Sequence, residues 1–66
     1  MKVSYNRLWK LLIDKEMTKT EMRDKVGMSS STLSKLSKNQ EVTMPVLMRI
    51  CETLDCNIED IVEFKR

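Results

Sequence analysis

Residues 18–36, TKTEMRDKVGMSSSTLSKL, decide the fold. Thr18 stands three residues before Glu21, the spacing of a capping box, in which each side chain satisfies a backbone N–H that the first turn of a helix leaves unpaired. A helix over 19–26 follows, with Met22 and Val26 on its inner face. Gly27, the only glycine in the chain, stops it, because the left-handed backbone that ends a helix costs least without a Cβ. Ser29 is the next cap, since its hydroxyl can accept from a backbone N–H two or three residues on. Leu33 and Leu36 give a narrow apolar stripe to a helix over about 30–38. Asn39, which tolerates the left-handed region better than most residues, ends it. A flexible polar linker would lack this periodicity, so the hydroxyl run Ser29–Thr32 belongs to a turn and a helix.

The flanks continue the pattern. Tyr5, Leu8, Trp9, Leu12 and Ile13 recur at spacings of three and four, with Lys10, Asp14 and Lys15 turned away, and predict an amphipathic helix over 5–16. Residues 40–43 are a loop. Thr43 caps a fourth helix whose first turn holds Pro45, where a missing N–H costs little, and Val46, Leu47, Ile50, Cys51 and Leu54 form its apolar face. Asn57 caps a short fifth helix carrying Ile58, Ile61 and Val62. The tail EFKR is extended, with Val3 and Phe64 placed in short strands that pair the two termini. The expected fold is all-α, a compact five-helix domain over residues 1–66 with short terminal β-strands.

Composition narrows the function classes. A chain of 66 residues builds one core, and a core this small commonly gains burial from a second subunit, so a dimer is expected. With 41% hydrophobic and 33% charged residues the chain has the balance of a folded domain. No apolar run exceeds four residues, which leaves no membrane-spanning segment and points to a cytoplasmic location. There is no histidine to act as a general base or to join Cys51 and Cys56 in a zinc site. One glycine cannot build a Walker-type phosphate loop. No metal, cofactor or catalytic set is expected, and the two cysteines read as small, partly buried thiols.

Net charge is only +2, but it is unevenly spread. Residues 1–40 carry nine Lys or Arg against four Asp or Glu, whereas residues 41–66 carry three against six. Positions 25–40 hold Lys25, Lys35 and Lys38 and no acid. Such asymmetry directs the basic half towards a polyanion.

Two short helices joined by a tight turn around glycine are the helix-turn-helix arrangement. On the residues quoted, TKTEMRDKVGMSSSTLSKL resembles the DNA-binding core of phage repressor and Cro-type regulators, the XRE family. The later segment VLMRICETLDCNIEDIV, residues 46–62, resembles the same family's later helices. The likeness is closest to its minimal single-domain members. Two positions depart from the family pattern: Arg23 replaces the usual alanine where the two helices approach closely, and Lys19 replaces a frequent glutamine. Arg23 is expected to lay its stem along the surface and hold its guanidinium in water.

The resemblance implies a sequence-specific transcriptional regulator of double-stranded DNA, with the helix over about 30–38 in the major groove. Carried over position by position, Ser30, Ser31, Ser34 and Lys35 face the bases, while Lys19, Ser29, Thr32, Lys38 and Asn39 contact phosphates. A homodimer joined through Ile58, Ile61, Val62 and Phe64 would meet two half-sites of a palindromic operator. A second expectation is an antitoxin or accessory subunit whose main partner is another protein and whose DNA binding is autoregulatory.

Overall fold

The computed structural model describes all of residues 1–66. In chain order it contains β1 (Lys2–Ser4), α1 (Asn6–Asp14), α2 (Lys19–Val26), α3 (Ser30–Ser37), α4 (Met44–Leu54), a single 3-10 turn (Ile58–Asp60) and β2 (Glu63–Lys65). The strands pair antiparallel, with Val3 opposite Phe64 and Ser4 opposite Glu63, so the two termini close the structure as expected.

Four helices form rather than five. Asp55, in the left-handed region at φ 52°, ends α4. Pairing with β1 then holds Glu63–Lys65 extended, so the residues between have room for one turn only. The Asp60 carboxylate accepts from the Asn57 backbone N–H at 2.9 Å and closes that turn.

The core is a cluster of nine buried residues: Tyr5, Leu8, Leu12, Met22, Val26, Leu36, Ile50, Leu54 and Ile61. Every helix contributes, and α2 packs against α1, α3 and α4. One expected core residue lies outside it, since Ile13 is 74% exposed. Leu8, Leu12 and Tyr5 define the inner face of α1 and half-buried Trp9 and Leu11 flank it, which turns position 13 to solvent. Ile61, expected at a dimer interface, is fully buried within the protomer and has no surface to offer a partner.

All four helices stop in the same way. One residue takes a positive φ, at Glu16 (55°), Gly27 (81°), Asn39 (56°) and Asp55 (52°). The N–H of the following residue then reaches back to a carbonyl five positions earlier: Met17 to Leu12 at 2.9 Å, Met28 to Arg23 at 3.2 Å, Gln40 to Lys35 at 2.9 Å and Cys56 to Cys51 at 3.0 Å. This is the Schellman closure, which satisfies carbonyls that a helix end leaves unpaired.

Asn39 has a second task. Its Oδ1 accepts from the Tyr5 backbone N–H at 3.2 Å, and the Tyr5 hydroxyl donates to the Gln40 carbonyl at 2.7 Å. The start of α1 is thereby fastened to the end of α3. Burial raises the Tyr5 hydroxyl above its ordinary pKa of 10.0; the Val42 backbone opposes this in part, and the Glu41 charge adds to it.

The closures and the junction give three predictions. Glu16→Gly should raise unfolding free energy by about 0.5–1 kcal/mol in urea titration, because relief of left-handed strain exceeds the added freedom of the unfolded chain. Gly27→Ala should lower it by about 1 kcal/mol, and through φ alone, since an added Cβ at position 27 meets nothing within 4 Å. As for pH, a raised folded pKa means that the folded state holds the tyrosine proton more tightly than the unfolded chain. The Tyr5 contribution is therefore complete below pH of about 10 and declines as pH rises towards the folded value. Tyr5→Phe should remove that alkaline component from the stability profile while costing about 1 kcal/mol at neutral pH.

Candidate nucleic-acid interface

The surface in question is built by α2, the Gly27 turn and α3. The Thr18 and Glu21 capping box starts α2: Glu21 N–H donates to Thr18 Oγ1 at 3.1 Å and Thr18 N–H to Glu21 Oε1 at 3.2 Å. Ser29 starts α3, its Oγ accepting from the Thr32 N–H at 3.2 Å. Leu36 is fully buried and Leu33 and Thr32 are half-buried, which fixes the inner side of α3 and leaves Ser30, Ser31, Ser34 and Lys35 exposed. These are the four residues expected to face bases, and one helix face presents all of them.

The hydroxyls do not stand free. Ser29 Oγ lies 3.0 Å from both Ser31 Oγ and Thr32 Oγ1. With one lone pair already given to the Thr32 N–H, the remaining hydrogen and lone pair of Ser29 tie it to its two neighbours. Thr32, expected at a phosphate, is half-buried with its hydroxyl inside this set. Asn39, also expected at a phosphate, has its acceptor committed to Tyr5.

The cations differ in their surroundings. The chain has two ion pairs, Arg7 with Glu63 at 3.8 Å and Arg23 with Asp24 at 3.2 Å. Lys25, Lys35 and Lys38 are exposed without a carboxylate partner, so the outer side of α2 and α3 keeps its positive field. Lys19 Nζ lies 4.1 Å from the centre of the Trp9 ring, a cation–π contact that holds the ammonium at the start of α2. Arg23 does not simply extend into water. Its Nε and one terminal nitrogen donate to Asp24 Oδ1, each at 3.2 Å, and the other donates to Ser30 Oγ at 3.1 Å. Neither the Trp9–Lys19 contact nor the Arg23–Ser30 contact has a signal in local spacing, because each joins separate elements.

A second surface is apolar. Ile58 and Phe64 are 43% and 65% exposed, and Val62 is half-buried. Met44 and Met48, which periodicity did not single out, join them at 61% and 56%. A groove of about 970 Å³ runs between the terminal strands, the 38–42 segment and α4. A hollow of about 350 Å³, lined by Met48, Cys51 and Cys56, continues it across Met44, Leu47 and Ile58. Burial and the neighbouring Cys51 push the Cys56 thiol up to about 11. It is protonated at neutral pH, the opposite of a nucleophilic cysteine.

Comparison with known proteins bears on the same features. The Cro/C1-type HTH DNA-binding domain family matches residues 7–66. No curated protein matches the chain. Among solved structures, the crystal structure of the transcriptional regulator VanUg, form II, superposes with a TM-score of 0.93 at 56% identity, covering 94% of this chain and 83% of that one. With the helix-turn-helix geometry in place and the match extending over nearly the whole sequence, the chain belongs to the Cro/C1-type helix-turn-helix DNA-binding family.

Proposed function

We propose that the protein is a transcriptional regulator that binds double-stranded DNA with α3 in the major groove, as a homodimer on a palindromic operator. The observation that carries the DNA reading is the outer face of α3. It presents Ser30, Ser31, Ser34 and Lys35 to solvent, next to cations that no carboxylate neutralises. In this reading Lys35 donates to guanine O6 or N7, and an ammonium does so without the bidentate fork of arginine. The serines discriminate weakly as residue types, so DNA shape and half-site spacing supply part of the specificity.

Lys19 and Lys38 are the phosphate contacts, joined by the Asn39 Nδ2, and helped by the exposed N–H groups at the start of α3. Ser29 and Thr32 are better assigned to supporting roles, since their hydroxyls bond each other and Ser29 also caps α3. No helix is long and apolar enough to cross a membrane, and a cytoplasmic setting fits a DNA ligand. The residues offer no constellation for catalysis, and we read the protein as a binding module.

The dimer surface is Met44, Met48, Ile58 and Phe64, with Val62 at its edge. The same surface favours the second reading, an antitoxin or accessory subunit, since an exposed apolar face fits a different protein as well as a second copy.

Selection of bound sites from random DNA tests the main reading, and a palindrome is the expected result. Lys35→Ala should blur preference at one position of each half-site, whereas Lys38→Ala should weaken all sequences and lower the salt slope by about one. An unchanged motif with Lys35→Ala would remove the assignment of α3 as the reading helix. For assembly, sedimentation at tens of micromolar should give a dimer, and Phe64→Glu should give a folded monomer. A wild-type monomer that co-purifies stably with another protein would instead favour the accessory-subunit reading.

A further inference from the structure

Serine discriminates poorly because its hydroxyl can donate or accept. Three of the four α3 residues read as facing bases, Ser30, Ser31 and Ser34, are serines, yet they are not chemically equivalent. Ser30 Oγ accepts a hydrogen bond from the Arg23 guanidinium at 3.1 Å. That arginine is in turn held by two bonds to Asp24 Oδ1, and its side chain is only 29% exposed. An oxygen that accepts from a cation loses electron density. Its own O–H becomes a stronger donor and its remaining lone pair a weaker acceptor. The Arg23 bond is the one hydrogen bond that Ser30 Oγ makes within the protein, and Ser30 is exposed, so its hydroxyl hydrogen is free to point outward.

We propose that Arg23 is a positioning residue for base recognition: by occupying Ser30 Oγ it converts a two-way hydroxyl into a donor that selects acceptor edges and rejects cytosine. This rests on the reading of α3 as the helix in the major groove. On the strand nearest Ser30, guanine offers O6 and N7, adenine offers N7 and thymine offers O4. Cytosine offers only the N4 amino group, which is itself a donor. A polarised hydroxyl backed by a guanidinium meets that amino group donor to donor. Arg23 acts across the turn without itself needing to touch a base. Its neighbour Asp24 fixes the guanidinium in place and offsets its charge, so the contribution of Arg23 is direction more than attraction to phosphate.

The test uses full-length protein and site selection from random DNA, followed by binding of the selected duplex with each base placed at each half-site position. In the wild type, cytosine at one position is expected to be disfavoured roughly 3–10-fold against the other bases, the range that a single hydrogen bond spans. Arg23→Met keeps the apolar stem and removes the donors. It should flatten that position while the rest of the motif and the helix content by circular dichroism stay as they were. Ser30→Ala should flatten the same position, and the double variant should be no flatter than either single one. Asp24→Ala, which releases the guanidinium, should give a smaller loss at that position and serves as the test if Arg23→Met does not fold.

A role in phosphate binding alone would make Arg23→Met weaken every sequence equally, lower the salt slope and leave the motif intact. That result overturns the proposal. So does a flattened position in Arg23→Met that differs from the one in Ser30→Ala. Failure of the wild type to select any motif would instead bring down the reading of α3 itself.

Discussion

The structure depends on stopping four helices abruptly in a chain that owns one glycine. Each helix ends with a residue in the left-handed region and a backbone bond that reaches back five positions, at Glu16, Gly27, Asn39 and Asp55. Without these closures the chain could not reverse quickly enough to bring Leu12, Met22, Leu36 and Leu54 into one core. Three of the four stops are made by residues with a Cβ, at a cost of about 1–2 kcal/mol for an ordinary side chain, somewhat less for Asn and Asp. They persist because the cluster they enable buries side chains worth about 1.5–3 kcal/mol each. Strain at the turns and burial at the centre are therefore linked, and neither is stable alone.

Asn39 shows why glycine is not the answer everywhere. A glycine there would relax the backbone but could not accept from the Tyr5 N–H. The asparagine ends α3 and caps the approach to α1 at once, and the Tyr5 hydroxyl fastens the next residue, Gln40. The helix that presents the serine face is thus held at both ends, by Ser29 at its start and by Tyr5 at its finish. Held in this way, with Ser29, Ser31 and Thr32 already linked and Ser30 already engaged, the face has less freedom to lose when it meets a ligand.

Local signals were legible in the sequence, and contacts between elements were not. The bounds of α2 and the start of α3 follow from Thr18, Glu21, Gly27 and Ser29, each of which acts within a few residues of itself. The left-handed stop at Glu16 gave no signal, because glutamate announces none, and Asp55, though its residue type tolerates that region, is one of several aspartates in the chain. Ile13 misled because two adjacent apolar residues cannot both lie on the centre of one helix face, and burial went to Leu12. The fifth helix shortened to one turn because Glu63–Lys65 pairs with Lys2–Ser4 at the far end of the chain. The same distance hid the three contacts that arrange the candidate site: Trp9 with Lys19, Arg23 with Ser30, and Tyr5 with Asn39. Periodicity chose the right face of α3, but only the packed structure tells which of its hydroxyls are already partnered.

Charge and apolar exposure divide the surface between two tasks. The first part of the chain is basic around α2 and α3; the later part is acidic and carries Met44, Met48, Ile58 and Phe64 exposed. The division is not complete, because the apolar groove is lined by Lys38, Asn39 and Gln40 as well as by Phe64 and Ile58. Those first three residues are the segment that closes α3 and receives Tyr5. A protein seated in the groove would press on the fastening of the helix that presents the serine face. In a domain with a single core of nine residues, no second layer of packing separates the two surfaces.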